Sequence, residues 1–243
     1  MKDKKILFMG GKYVGYNCLK FLVEGGFKVM GCFVDPNDRD DKISKSVKKL
    51  CLDNKIPVFI YKDVNAKESE NTIKKLSADI IVVIYYDQIL KPNIINLPPL
   101  GCLNLHLALS QVHRGCYPTT WSLIRGDKYT GATLHYITPR IDGGPVVGQK
   151  KLKIDDEWTG KDLYYKLSDV GIDLFKKKFP ILNKVKPYAI DISKSVYYKR
   201  EFPSHEINLD KKTYNRIRAL IFDPFPKPYI KIGKRKFEIT ELK

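Results

Sequence analysis

Short apolar runs alternating with amphipathic stretches constrain this chain more than any other feature. "KKILFMG" is too brief for a buried helix and ends in Gly10-Gly11, so it reads as a buried strand and a turn. "YVGYNCLKFLVEGG" follows, with Val14, Cys18, Leu19, Leu22 and Val23 at helical spacing and Gly25-Gly26 closing it. "FKVMGCFVD", "IPVFIY" and "ADIIVVIYY" are further strands, separated by the helices "SKSVKKLCLDN" and "AKESENTIKKLS". The order β-α-β-α-β-α-β predicts an α/β fold: a doubly wound, mostly parallel Rossmann-like sheet with right-handed crossovers.

The second half continues with a strand "GCLNLH", a helix "YPTTWSLIRGD" and strands "TGATLHYIT" and "PVVGQKKLKI" on either side of the turn "PRIDGG". A long helical region is expected from about Thr159 to Val185. With 243 residues, 43% of them hydrophobic, the chain can bury one full core. We expect one main domain, 1–185, and a small C-terminal extension, 186–243, ending in a β-hairpin over "YIKIGKRKFEITEL".

Several classes are excluded or disfavoured. No apolar run approaches a membrane span, and Ile6–Met9 is too short for a signal peptide. The five cysteines (Cys18, Cys32, Cys51, Cys102, Cys116) form no C-x-x-C pair, so neither a disulfide framework nor a metal site is expected. Free thiols fit a reducing cytoplasm, the expected location. Cys102 and Cys116 read as small core fillers. The net charge of +17 suggests an anionic partner, but it comes mostly from lysines spread along the chain. Solvated helix faces explain that better than a nucleic-acid surface. The first turn, Gly10-Gly11 followed by Gly15, does not match G-x-G-x-x-G, which disfavours a dinucleotide-dependent enzyme.

In open sheets of this kind a ligand sits beyond the carboxyl ends of the strands. That gathers the loops Gly10–Tyr13, Asp35–Asp40 and Tyr85–Leu90 in one crevice. Asn104 and His106 end the strand "GCLNLH", and their spacing of two puts them on one face. Asn104 can offer an amide N–H to a developing oxyanion. His106 can move a proton near neutral pH. Asp142, in its glycine turn, can orient that histidine, stabilise its charge, or hold a water. Histidine, carboxylate and amide together suit acyl transfer to an amine that is itself the nucleophile. His135 reads as strand packing, His205 as solvated, His113 as open between roles, and Tyr164 and Tyr165 as helix packing.

The stretches "NLHLALSQVHRGCYPTTWSLIRGD" and "TGATLHYITPRIDGGPVVGQ" resemble the core motif of the formyltetrahydrofolate-dependent formyltransferases. That motif runs N-x-H-x-S-L-L-P-x-Y-R-G-x-x-P-x-x-W, then T-G-x-T-x-H, then D-x-G-x-I. Asn104, His106, Arg114, Gly115, Pro118, Trp121, Thr130, Gly131, Thr133, His135, Asp142, Gly144 and Val146 fall on it. "LALSQVH" departs from it: the proline is lost and the tyrosine becomes His113. The resemblance implies Asn104, His106 and Asp142 as the catalytic trio and N10-formyltetrahydrofolate as the formyl donor. It also implies a donor site formed by Tyr85, Tyr86, Asp87, Gln88, Ile89 and Leu90 with Arg140 and Asp142.

The tail "YYKREFPSHEINLDKKTYNRIRALIFDPFPKPYI" resembles the segment after the core in nucleotide-sugar formyltransferases. The resemblance thus implies a dTDP-linked amino sugar as acceptor, first dTDP-4-amino-4,6-dideoxyglucose, for bacterial surface polysaccharide. His113, Arg114, Gly115, Tyr197, Tyr198 and Arg200 would bind it, with Arg forks suited to phosphate and aromatic rings to a base. Arg216 and Arg218 sit on what reads as a packing helix. Other amine acceptors remain open: a 3-amino sugar, a UDP-amino sugar, or methionyl-tRNA, although the extension is short for a tRNA enzyme of this family. No nucleic-acid or membrane partner is expected. A homodimer is expected, with the C-terminal hairpin's free edges able to pair.

Overall fold

The structure, a computed structural model, describes residues 1–40, 45–207 and 212–241. The first half runs β1 (Lys5–Gly10), α1 (Lys12–Glu24), β2 (Lys28–Phe33), α2 (Val47–Asp53), β3 (Val58–Phe59), α3 (Lys67–Leu76), β4 (Ile80–Ile84) and α4 (Pro92–Ile95). The second half runs β5 (Cys102–His106), β6 (His113–Gly115), α5 (Pro118–Arg125), β7 (Tyr129–Tyr136), β8 (Val146–Lys153), α6 (Gly160–Lys178), β9 (Val196–Tyr198), α7 (Thr213–Leu220), β10 (Tyr229–Ile232) and β11 (Arg235–Glu238).

Seven strands form one sheet in the order β3-β2-β1-β4-β5-β7-β8. The neighbours from β3 to β5 are parallel, while β5–β7 and β7–β8 are antiparallel. The sheet is therefore mixed but mostly parallel, as the element order predicts. All five residues of β4, IIVVI, are buried, because helices cover both faces of a central parallel strand. Successive side chains of β1 feed two cores. Ile6 and Phe8 join Val14, Leu19 and Phe175 on one face, and Leu7 and Met9 join Phe33, Ile81 and Ile94 on the other.

α6 is the long helix of the second half. Thr159 and Asp162 close a reciprocal capping box at its start, and Lys176, Lys177 and Lys178 occupy its last turn, where the dipole favours cations. The helix stops earlier than expected. Pro180 has no N–H for an i→i−4 bond, and the chain passes into a 3-10 segment over Phe179–Lys184. β3 is also shorter than "IPVFIY" suggests, because it lies at the sheet edge and follows Pro57, which has no donor.

The helix α4 and the β6–β9 pair are absent from the sequence-based expectation. β6 pairs in parallel with β9 (His113↔Val196, Arg114↔Tyr197, Gly115↔Tyr198), which ties the C-terminal segment to the loop after His106. α7 adds a second tie. Arg218 is buried and donates from Nη1 to the carbonyls of Asp155 and Asp156, both at 2.9 Å. Beyond it, β10 and β11 form the antiparallel hairpin, turning at Gly233. Among the described residues no helix is long and apolar enough to cross a membrane.

Candidate active site

β5 ends between β4 and β7. Asn104 lies beside Val83 of β4 and directly opposite His135 of β7, and His106 lies opposite Thr133. Cross-strand neighbours share a face, so Asn104, His106 and His135 project to one side. The turn between β7 and β8 brings Asp142 over them. Asp142 holds a left-handed backbone (φ 49). At Gly144 a Cβ would stand 1.9 Å from the carbonyl oxygen of Tyr136, so only glycine lets the turn close this tightly.

Four groups converge on the Asp142 carboxylate. The Gly115 N–H donates to Oδ2 at 2.8 Å, and Asn104 Nδ2 donates to Oδ1 at 3.3 Å. His106 Nδ1 stands 3.7 Å from Oδ2 and His135 Nε2 3.5 Å from Oδ1. Burial pushes the Asp142 carboxyl up, but His106, His135 and the Gly115 N–H outweigh it and hold the group well below the ordinary carboxylate range. Asp142 is thus a fixed negative charge.

The histidine tautomers follow from carbonyl contacts. His106 Nε2 is 3.1 Å from the carbonyl oxygen of His113. A carbonyl can only accept, so Nε2 carries the hydrogen, and Nδ1, facing Asp142, is the nitrogen free to gain a proton. Burial lowers the His106 pKa below its ordinary value, and Asp142 only partly opposes this. His106 is therefore neutral near pH 7. In His135, Nδ1 donates to the Tyr136 carbonyl at 2.9 Å, which leaves Nε2 to accept from Asn104 Nδ2 at 3.1 Å. Both amide hydrogens of Asn104 are therefore engaged. Their bonds are long, so one can be exchanged for a charged oxygen at little cost.

The residues expected to bind a ligand divide into two groups. Gly115 is part of the carboxylate's support. Its φ is +85, and a Cβ there would meet the Tyr198 carbonyl oxygen at 2.1 Å. Tyr197 is exposed, with the Arg114 guanidinium 5.9 Å from its ring centre. Arg200 is exposed and pairs with Asp87 at 3.2 Å. Arg140 is exposed beside the Asp142 turn. Other expected contacts are spent internally. His113 was expected to touch substrate, but its side chain is only 1% exposed and its Nε2 is taken by Asp127. What it offers the site is its carbonyl. Arg114 donates to Ser195 Oγ at 2.7 Å and to the Ile141 carbonyl at 3.1 Å, bracing the wall. Tyr198 is stacked on Trp121 (4.6 Å, 10°), so that face is covered.

The loop at the end of β4 divides similarly. Gln88 holds the Val64 N–H (2.7 Å) and the Tyr61 carbonyl (2.9 Å), and Leu90 is buried in the core; neither side chain is free for a ligand as expected. Tyr85 has a left-handed backbone and packs edge-on against Tyr164. Tyr86 is half-buried, Asp87 faces Arg200, and Ile89 is 64% exposed. Cys116, expected in the core, is half-buried, while Cys102 is buried as expected.

His135, read as packing, belongs to this cluster. Its position opposite Asn104 depends on the antiparallel β5–β7 register, which no local pattern gives. Two signals were available: the alternation of "TLH", which puts His135 on the same face as Thr133, and the place of His135 in the T-G-x-T-x-H motif.

A site of strand-end amide, histidine and buried carboxylate above an open α/β sheet defines a group-transfer class. The family model for formyl transferase matches residues 11–178, and the chain belongs to the formyl transferase family. It is 35% identical over 247 residues to the bifunctional polymyxin resistance protein ArnA of Wigglesworthia glossinidia brevipalpis, covering 98% of this chain and 38% of that protein. It is 32% identical to the methionyl-tRNA formyltransferases of Clostridioides difficile strain 630 (74% of this chain, 60% of that protein) and Kosmotoga olearia (97% and 78%). The chain thus spans less than two thirds of the first two relatives. Among solved structures it resembles WlaRD, a sugar 3N-formyl transferase crystallised with dTDP and 5-N-formyl-THF. That likeness has 25% identity and a TM-score of 0.74, and covers 90% of this chain and 80% of that one. A 4-N formyltransferase from Francisella tularensis shares the fold, with a TM-score of 0.80 at 20% identity over 99% of this chain and 98% of that one.

Proposed function

We propose that the chain transfers a formyl group from N10-formyltetrahydrofolate to the amino group of a dTDP-linked amino-dideoxy sugar. The first candidate is dTDP-4-amino-4,6-dideoxyglucose, in the synthesis of bacterial surface polysaccharide such as O-antigen. The observation that carries this reading is the Asn104–His106–His135–Asp142 cluster, set in a fold that resembles a sugar formyltransferase crystallised with dTDP and a formyl-folate.

The residues fit a folate donor. The loop at the end of β4 presents the exposed Ile89, an apolar surface suited to a flat pterin. The loop is also tied to the acceptor wall through Asp87 and Arg200. The donor, when bound, supplies an activated formyl carbon. The chain's own groups do the rest. Asn104 yields one of its two long N–H bonds to the formyl oxygen as charge builds there. His106, neutral and protonated at Nε2, would take the amine's proton at Nδ1, be stabilised by Asp142 at 3.7 Å, and return that proton to the donor's N10 as the formyl carbon's bond to N10 breaks and tetrahydrofolate leaves. The Gly115 N–H keeps that carboxylate in place. Tyr197, Lys199 and Arg200 line the acceptor side, with cations for a diphosphate and a ring for a base. The chain acts in the cytoplasm as a homodimer paired through the β10–β11 hairpin, with a catalytic unit over 1–185 and an extension over 186–243.

To test this, the protein is incubated with N10-formyltetrahydrofolate and a panel of dTDP- and UDP-linked 3- and 4-amino sugars. The readout is a mass gain of one formyl group. Lack of product from every sugar overturns the reading. A second reading, methionyl-tRNA as acceptor, is favoured by the net charge of +17 and the Kosmotoga relative. Formylation of methionyl-tRNA alone, falling steeply with salt, would select it. Light scattering of the purified chain checks the dimer.

A further inference from the structure

The His113 side chain is buried yet chemically incomplete. Its Nε2 pairs with Asp127, which directly follows the C-terminal end of α5, while its Nδ1 has no hydrogen-bond partner. A phenyl ring in the same space would bring no unmatched polar atom of its own, so packing alone does not explain an imidazole here. Beyond its pairing with Asp127, the ring also faces Tyr198 (5.6 Å), which is itself stacked on Trp121. The backbone of the same residue makes the contact that matters to the site: its carbonyl oxygen accepts from His106 Nε2 at 3.1 Å. That bond decides which nitrogen of His106 carries the hydrogen and leaves Nδ1 facing Asp142.

We infer that His113 and Asp127 form a positioning dyad that anchors the His113 carbonyl at Nε2 of His106 and so fixes the tautomer that accepts the proton. This matters only if His106 carries the proton, as proposed above. The anchoring is local. Along β6, Gly115 is held by Asp142 and Arg114 by Ser195 and the Ile141 carbonyl, while His113 pairs with Val196 of β9 and its N–H donates to the Leu109 carbonyl at 3.0 Å. At His113 itself the side-chain bond to Asp127 is the further hold on that backbone. His113 stands where the motif quoted above carries a tyrosine. Around His106 the charged or titratable neighbours are Asp142, His135 and His113. Around His113 they are Asp127, Tyr198 and, behind Asp127 at 3.8 Å, Arg125.

The test uses the full chain with three variants. H113F keeps the ring against Tyr198 and removes the hydrogen bond to Asp127. D127N keeps the shape and removes the charge, and H113Q returns a donor toward Asp127. With H113F or D127N, kcat is expected to fall about tenfold with KM for both substrates within about twofold, since the dyad supports a proton transfer and not binding. H113Q should recover part of the loss. The acid limb of the pH–kcat profile should move to lower pH, because the carbonyl bond favours protonated His106. If H113F fails to fold, D127N decides. Full kcat and an unmoved limb in H113F and D127N, with H106A inactive, overturn the dyad alone. An active H106A overturns the proposed role of His106 first.

Discussion

Two aspartates, Asp142 and Asp127, each face a buried histidine, and they do so differently. Asp127 has one close side-chain partner, the buried His113, with Arg125 behind it at 3.8 Å, and the His113 ring faces Tyr198, which stacks on Trp121. Asp142 has three side-chain neighbours at 3.3–3.7 Å and one short backbone bond from Gly115. Several loose contacts leave a carboxylate that can tighten on whichever neighbour becomes charged. One closed contact leaves a carboxylate that only holds. The difference fits the roles proposed for them, Asp142 in the chemistry and Asp127 in its frame.

The largest effect should come from removing the residue that links the two. H106A is expected to lower kcat about 10²–10⁴-fold, with little change in thermal midpoint, read from formylated product in steady state. Next, D142N preserves the shape of the turn but removes its charge. A loss of about 10²–10³-fold in kcat is expected, and a loss as small as that of D127N would erase the distinction between the two aspartates. Third, G115A forces a side chain into a left-handed backbone and against the Tyr198 carbonyl, and should destabilise the protein by about 1–3 kcal/mol in denaturant titration. The smallest effect is in pH. The folded pKa of His106 lies below its ordinary value, so activity should persist as pH falls through the usual imidazole range of about 6.5 and decline only below it. An acid limb above that value would contradict the neutral, buried assignment.

The parallel half of the fold was legible because strands buried on both faces are continuous apolar runs, as in "ADIIVVIYY". Asn104 and His106 were legible for a related reason: polar side chains at the end of such a run have no place in a core. His135 was not, because it joins them only through antiparallel pairing. Nor was His113, whose partner lies 14 residues away beyond α5. The brace from Arg114 to Ser195 spans 81 residues, and no local rule connects them. The helix expected to reach Val185 ends at Lys178, because Pro180 cannot donate the next i→i−4 bond.

The pairing of β6 with β9 carries a consequence for biosynthesis. The seven-stranded sheet and all the polar groups around Asp142 are encoded before residue 154, and N-terminal units generally fold first as a chain emerges. Yet Gly115 takes its strained position against the Tyr198 carbonyl, and Arg114 needs Ser195. A nascent chain can therefore assemble its sheet early and still hold an unfinished site. The site would reach its working shape only once Tyr198 clears the ribosome, so the onset of turnover would serve as a built-in indicator that translation has passed that point.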